Sequence, residues 1–266
     1  MDMIVCIKQV PDLETALVNF RIDSEGNRVI PVAGVSPVLN GFDEQALEAA
    51  LRIKDTHGGK ITVLMLGNDL VAAVIKKSLA MGADELVTLW DDAFQGGDSY
   101  ATAQVLAAAI RKIGNFDLIF CGRQAADTDA GQVGPGIAEI IGIPCVTFAK
   151  SVKVAGENVK VERSVLNGYE VVEAPMPCVI TVSNELGKPR YPSLRGTMAA
   201  RAKQPTAWNA KDLRIDASRV GAAGARTKLV RLVAPEKVSR CEIVAADTPA
   251  DAGKKLAAML REAKVI

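Results

Sequence analysis

The sequence predicts an α/β protein with a parallel, doubly wound, Rossmann-like sheet. Over residues 3–149, short apolar runs alternate with stretches that have helical periodicity. This order calls for parallel strands joined by helices on both faces of a sheet. After residue 150, a hairpin pattern and a final amphipathic stretch predict an antiparallel edge hairpin and a C-terminal docking arm.

Five apolar runs are the predicted parallel strands, and the segments between them predict helices. The strands fall at residues 3–8, 60–66, 85–90, 117–121 and 145–149. The helices fall at residues 42–54, 70–81, 99–113 and 131–141, where apolar residues recur on one face. Between the first strand and the first helix, residues 10–40 are rich in Pro, Gly and Asp, and we expect a small hairpin around the sequence DSEGN.

The second half of the chain changes character. Residues 152–163 predict a hairpin that turns at AGEN, and residues 169–173 and 178–182 predict two further strands at an antiparallel edge. Residues 187–208 are basic and contain several prolines, which predicts an exposed loop. The domain is therefore expected to span residues 1–205. Residues 206–266 form the expected arm, with an amphipathic helix at 250–263 that either docks on another surface or packs on its own sheet.

Composition excludes several classes of function. The chain has 266 residues, with 32 Lys and Arg against 31 Asp and Glu, which argues against a nucleic-acid-binding surface. No apolar run approaches the length of a membrane span. A single histidine, His57, leaves no basis for a catalytic triad, and five cysteines without a C-x-x-C pair predict no metal site. Reduced cysteines point to a cytosol-like compartment.

One segment is the main candidate for ligand binding, the loop C-G-R-Q-A-A-D-T-D-A-G-Q-V-G-P at residues 121–135. It follows the fourth strand and opens a helix, at the sheet edge where open α/β folds bind ligands. Its glycines allow close backbone approach, and the amides before Gln132 and Val133 suit a phosphate. The alternative is a loop shaped only for its turn. A second candidate, residues 40–43, precedes the first helix; the alternative there is a turn with a helix cap.

These residues resemble the β subunit of electron transfer flavoprotein. The resemblance rests on IVCIKQVPD, N-x-F-D-E-x-A-L-E-A-A-L-R-I-K, LAMGADE, GRQAADTDAGQVGP and NELGKPRYPSL, which occur in the same order over residues 1–205. It implies a sheet of the adenine-nucleotide-binding type and a heterodimer with an α subunit that carries the electron-transferring FAD. The resemblance places a nucleotide site in this chain at Cys6, Asn40, Gly41, Phe42, Asp43, Leu66, Gly122, Arg123, Gln124, Ala125, Ala126, Asp127, Thr128, Asp129, Ala130, Gly131, Gln132 and Val133.

The resemblance leaves two nucleotides open. Ordinary members of the family hold AMP in this subunit, whereas electron-bifurcating members hold a second FAD that accepts hydride from NADH. The wording D-T-D-A-G-Q-V-G-P is nearer the bifurcating D-G-D-T-A-Q-V-G-P, although Thr128 replaces a glycine and Gly41 stands where many members have proline.

The resemblance also implies partners. Residues 187–204 correspond to the partner-recognition loop, with Leu194 as the anchor and Tyr191 and Arg195 beside it. The partner would be a flavin dehydrogenase such as an acyl-CoA dehydrogenase. NADH as donor, and a quinone oxidoreductase or ferredoxin as acceptor, also remain open. The sequence thus predicts a cytoplasmic bacterial electron carrier rather than a side-chain catalyst. The alternative is a stand-alone adenine-nucleotide-binding module of the stress-protein type.

Overall fold

A computed structural model describes residues 1–12, 14–15, 20–23, 28–31, 34–233 and 241–266. The strands in these ranges are β1 (Asp2–Ile7), β2 (Gln9–Val10), β3 (Phe20–Asp23), β4 (Arg28–Pro31), β5 (Val38–Leu39), β6 (Lys60–Leu66), β7 (Glu85–Leu89), β8 (Leu118–Gly122), β9 (Cys145–Ala155), β10 (Asn158–Val165), β11 (Gly168–Pro175), β12 (Cys178–Val182) and β13 (Thr206–Trp208). The helices are α1 (Gly41–His57), α2 (Ala72–Ile75), α3 (Lys77–Met81), α4 (Ser99–Ile113), α5 (Val133–Ile141), α6 (Leu194–Ala202), α7 (Ala210–Leu213), α8 (Gly221–Gly224) and α9 (Pro249–Glu262).

The main sheet has nine strands in the order β11-β10-β9-β12-β8-β1-β6-β7-β13. In this order, all neighbouring strands from β9 through to β13 pair parallel. The chain runs outward from β1 through β6 to β7, and then returns to place β8 on the other side of β1. The strand order therefore reverses between β1 and β8, which confirms the predicted parallel, doubly wound α/β sheet.

Two apolar cores lie on the two faces of this sheet. Successive side chains of β1 point to opposite faces, so that Met3 and Val5 join one core while Ile4 and Cys6 join the other. Helices α1, α3 and α6 cover the first face, and α4 and α5 cover the second. Burial on both faces explains why the central strands are continuous apolar runs.

The edge hairpin forms as predicted, but one strand is placed differently. Strands β9, β10 and β11 pair antiparallel at one end of the sheet. Residues 178–182 were expected at this antiparallel edge. The structure instead inserts them as β12, parallel, between β8 and β9. All five side chains of β12 are buried, which requires cover on both faces and suits a central position.

The early hairpin is described in part. Strands β3 and β4 pair antiparallel, as the sequence predicted around DSEGN. Residues 24–27, within the sequence DSEGN, lie outside the described residues.

The predicted exposed loop at residues 187–208 contains regular structure. Residues 194–202 form α6, which begins after Ser193, whose side chain accepts a hydrogen bond from the amide of Gly196. A Cβ at Gly196 would lie 2.3 Å from the carbonyl oxygen of Ala80, so only glycine allows α6 to pack this closely on α3. The prolines and charges suggested a loop, while the helix-forming run T-M-A-A-R-A decides the local structure.

The chain divides into two compact units, residues 1–230 and 231–266. The first extends past the predicted boundary at residue 205, because β13 pairs with β7 and the side chains of Leu213 and Val220 are buried. The second contains α9, which agrees closely with the predicted helix at 250–263 and is capped by Thr248. None of the residues of α9 is buried. Among the described helices, none has the length and apolar character needed to cross a membrane.

Candidate functional site

A cavity of about 600 Å³ opens at the carboxyl ends of β1, β6 and β8, next to the point where the strand order reverses. The amino ends of α4 and α5 face it. Open parallel sheets bind ligands at this position, since loops diverge there and helix amino termini converge. The volume is within the range of small-molecule sites in proteins, about 300–1,000 Å³.

The floor of the cavity is apolar. Cys6 and Cys121 are paired residues on adjacent strands β1 and β8, and Leu66 ends β6 beside them. A hydrogen bond with Cys6, together with burial, raises the pKa of the Cys121 thiol. Cys121 is therefore a neutral thiol at physiological pH, and the floor is a surface for packing rather than for covalent chemistry.

Asp43 joins the two central strands beneath the cavity. Its carboxylate accepts hydrogen bonds from the amide of Lys8 at 2.7 Å and from the amide of Gly122 at 3.1 Å. Burial raises the pKa of Asp43 to about 7, although these hydrogen bonds oppose the shift. A Cβ at Gly122 would lie 2.3 Å from the Asp43 carboxylate, so a glycine is required where β8 ends.

Asn40 shapes the loop that follows β8. Its fully buried side chain donates to the carbonyl of Gln124 at 2.9 Å and accepts from the amide of Ala126 at 3.1 Å. Both contacts satisfy backbone groups of the loop that would otherwise be unpaired. Asn40 thus fixes the backbone of this loop.

The two carboxylates of the loop are engaged within the protein. Asp127 forms an ion pair with Lys8 at 2.7 Å, and Asp129 accepts from the side chain of Gln124 at 2.6 Å. Arg123 remains at the cavity wall, 5.0 Å from the ring centre of Phe42. The loop therefore holds its negative charges in internal contacts, which reduces their repulsion of an anionic ligand.

The amino end of α5 is the part of the cavity best suited to a phosphate. Gln132 precedes the helix, and its side chain makes no capping hydrogen bond. In the part of the chain that the structure describes, the amides of Gln132, Val133 and Gly134 donate no hydrogen bond to another protein group. Gly131 has φ +62°, which turns the chain into the helix. Unpaired amides at a helix amino terminus are a phosphate-binding arrangement, so the residues present fit a nucleotide.

Most of the predicted site residues border this cavity. Those that line it are Cys6, Asp43, Leu66, Gly122, Arg123, Gln124, Ala125, Thr128, Ala130, Gly131, Gln132 and Val133. The others belong to the same two segments, at the start of α1 and in the loop after β8, without lining the cavity, namely Asn40, Gly41, Phe42, Ala126, Asp127 and Asp129. The structure therefore brings the two predicted segments together, and the ligand role of each residue stays a prediction.

Sequence reasoning missed a third wall. The loop between β7 and α4 contributes Trp90, Phe94 and residues 95–99, and the end of β1 contributes Lys8. The signal was present in Q-G-G-D, a glycine pair and a helix cap at the carboxyl end of the third strand.

Asp98 in this wall has two functions. One oxygen caps α4 by accepting from the amide of Ala101, and the other accepts from the amides of Arg226 and Thr227. The chain just after α8 is thereby fastened to the cavity wall.

The predicted partner-binding residues lie away from the cavity. Tyr191 is 90% exposed and Leu194, the first residue of α6, is 80% exposed, with Arg195 next to it. Unlike these exposed side chains, Arg190 is engaged within the chain, because it forms ion pairs with Glu48 at 2.8 Å and with Asp55 at 2.7 Å. These ion pairs fix the start of the segment on α1.

An open parallel sheet with a cavity at its strand reversal and helix amino termini facing that cavity is the arrangement of ligand-binding, doubly wound α/β proteins. Residues 29–213 match the electron transfer flavoprotein domain. The chain belongs to the electron transfer flavoprotein β-subunit family, as the sequence resemblance predicted.

Three relatives illustrate the family. The chain is 42% identical to the electron transfer flavoprotein subunit beta of Thermoanaerobacterium thermosaccharolyticum, over 91% of this chain and 92% of that protein. It is 37% identical to the caffeyl-CoA reductase-Etf complex subunit CarD of Acetobacterium woodii, over the full length of both. It is also 37% identical to the acryloyl-CoA reductase electron transfer subunit gamma of Anaerotignum propionicum, over 88% of this chain and 89% of that protein.

Proposed function

We propose that this chain is the β subunit of a heterodimeric electron carrier and that it binds an adenine nucleotide in the cavity at the strand reversal. The observation that carries the proposal is the unpaired amide group at the start of α5, facing a cavity of about 600 Å³. The family has an electron-transfer function, and the α subunit would hold the electron-transferring FAD.

The residues of this chain would bind and orient the nucleotide. The amides of Gln132, Val133 and Gly134 would hold a phosphate, and Thr128 and Gln132 offer side-chain hydrogen bonds at the same wall. The apolar floor would exclude water from the face of the ligand. A bound flavin would supply hydride and electron transfer, so no side-chain nucleophile or metal is needed in this chain.

We favour a second FAD over AMP as that nucleotide. The loop sequence D-T-D-A-G-Q-V-G-P, which is nearer the bifurcating D-G-D-T-A-Q-V-G-P, supports this choice. The cavity extends from the start of α5 to Trp90 and Phe94, where either an adenine ring or a flavin ring could pack. With FAD in this subunit, NADH would be the donor, and ferredoxin or a quinone oxidoreductase would be an acceptor.

The proposed partners are an α subunit and a flavin dehydrogenase that acts on acyl-CoA substrates. Two relatives, a caffeyl-CoA reductase complex subunit and an acryloyl-CoA reductase subunit, support the second partner by their names. Tyr191, Leu194 and Arg195 would contact the dehydrogenase, and the unit that contains α9 would hold the α subunit. All five cysteines are free, which is compatible with the proposed bacterial cytoplasm.

The test is to purify this chain with the α subunit encoded beside it, denature the complex and identify the released nucleotides. Two FAD per heterodimer would support the bifurcating type, and one FAD with one AMP would support the ordinary type. A complex in which this chain releases no nucleotide would overturn the proposal. A chain that binds AMP but runs as a homodimer without a partner would instead identify a stand-alone module.

A further inference from the structure

A second cavity, of about 620 Å³, lies beside α4, away from the capped amino end of that helix. The carboxyl-terminal half of α4 and the segment that begins with α7 form its walls. It shares no lining residue with the cavity at the strand reversal. No feature of the proposed electron-transfer function uses it.

Four cationic side chains line this cavity. Arg111 and Lys112 come from α4, and Arg214 and Arg219 come from the segment after α7. Within the described ranges, none of the four has an ion pair at 4.0 Å or less. Arg111 and Lys112 also complement the carboxyl end of α4, which is an ordinary place for cations. Arg214 and Arg219 follow or end only very short helical turns, of four and three residues, and are the diagnostic pair.

Two carboxylates, Asp212 and Asp216, face these four cations. Hydrogen bonds from Ser218 lower the pKa of Asp216, and the charge of Arg219 contributes to this shift without an ion pair at 4.0 Å or less. Asp212 accepts a hydrogen bond from the amide of Asn209, in a capping box at the start of α7. Asp216 accepts from the amide of Ser218 at 2.9 Å. Both are turned to backbone donors, so the cavity presents an excess of positive charge around a partly apolar floor that includes the buried Leu213.

We propose that this cavity binds a small molecule with two or more phosphate groups. A concave site of this size suits a small ligand rather than a flat protein surface. Arginine side chains bind phosphate oxygens through paired N–H groups, and two arginines that make no ion pair at 4.0 Å or less within the described residues match two phosphates. Lys112 lies 5.0 Å from the ring centre of Trp208, so a phosphate that attracts Lys112 would change the surroundings of that ring.

The probe is inorganic pyrophosphate, added to the full chain as purified. The protein has two tryptophans, and Trp90 borders the first cavity, so a Trp90→Phe background leaves Trp208 as the reporter of the second. We expect saturable pyrophosphate binding by calorimetry, with a matching change in Trp208 fluorescence. Arg214→Gln and Arg219→Gln should each weaken binding at least about tenfold, and Arg21→Gln, an exposed arginine elsewhere, should not.

Four results would overturn the proposal. One is no saturable binding of pyrophosphate. A second is equal affinity in the Arg214 and Arg219 variants. A third is release of nucleotide from the first cavity in proportion to pyrophosphate bound, which would place the binding there. The fourth is binding of citrate but not of pyrophosphate, which would show that the cavity selects carboxylates.

Discussion

Leu194 offers the sharpest test of how this chain meets a partner dehydrogenase. The side chain is 80% exposed, so about a fifth of its surface is covered in the chain itself. Full burial of a leucine stabilises by about 1.5–3 kcal/mol. Leu194→Ala should therefore cost the isolated protein only about 0.3–0.6 kcal/mol, and the remaining 1.2–2.4 kcal/mol, roughly, is available for docking.

Loss of the roughly 1.2–2.4 kcal/mol of docking free energy corresponds to an affinity for the dehydrogenase that is about 8- to 60-fold weaker. The assay is the rate of flavin reduction by the dehydrogenase at limiting carrier concentration, alongside urea unfolding and flavin content. Leu166→Ala is the matched control, because Leu166 is 98% exposed and lies in the turn between β10 and β11. Reduction at the wild-type rate would refute the docking role. Loss of more than about 1.5 kcal/mol of stability would show instead that Leu194 is a core residue.

Three other perturbations test the site and the second unit. Burial raises the pKa of Asp43 from 3.8 to about 7, so the folded state holds an extra proton between these values and its stability falls as pH rises through them. Relative to Asp43→Asn, the wild type should lose up to about 4 kcal/mol between pH 4 and 8 in urea unfolding, and a constant or opposite difference would contradict this. Gly131→Val forces a branched side chain to φ +62° at the proposed phosphate site and should lower the nucleotide released on denaturation, whereas Gly142→Val, equally strained at the far end of α5, should not. Truncation before Pro249 removes α9 and should leave the α/β unit folded but unable to co-purify with the α subunit; stoichiometric co-purification would exclude a docking role.

The sequence predicted the parts of the fold that local pattern determines. Buried parallel strands such as β1 and β6 are continuous apolar runs, and α4 has a cap, an apolar stripe and a terminal glycine. The position of β12 in the sheet could not be predicted from the sequence, because an apolar run of five residues fits a central or an edge strand equally well until its neighbours are known. The extent of the first unit was also missed, since the three-residue β13 is too short to show a period.

In the candidate site, too, some features follow from local sequence and others depend on tertiary structure. Glycines and a helix start after a buried strand led to the prediction of a ligand site at residues 122–133, and the structure places this loop beside a cavity. The contacts of Asn40 with that loop, across 84 and 86 residues of sequence, depend on tertiary structure alone. The internal ion pair of Asp127 with Lys8 resolved a conflict that the sequence left open, namely two carboxylates beside a proposed phosphate.

The insertion of β12 between β8 and β9 has a consequence for how the protein is made. When β8 leaves the ribosome, one of its edges is covered by β1, and the other has no partner until residues 178–182 follow. At roughly 5–20 residues per second, that apolar edge is uncovered for about 3–12 seconds. During this interval the nascent chain presents an unpaired strand to other nascent chains. Aggregation in cells should therefore depend on translation speed between β8 and β12 more than on speed elsewhere in the chain.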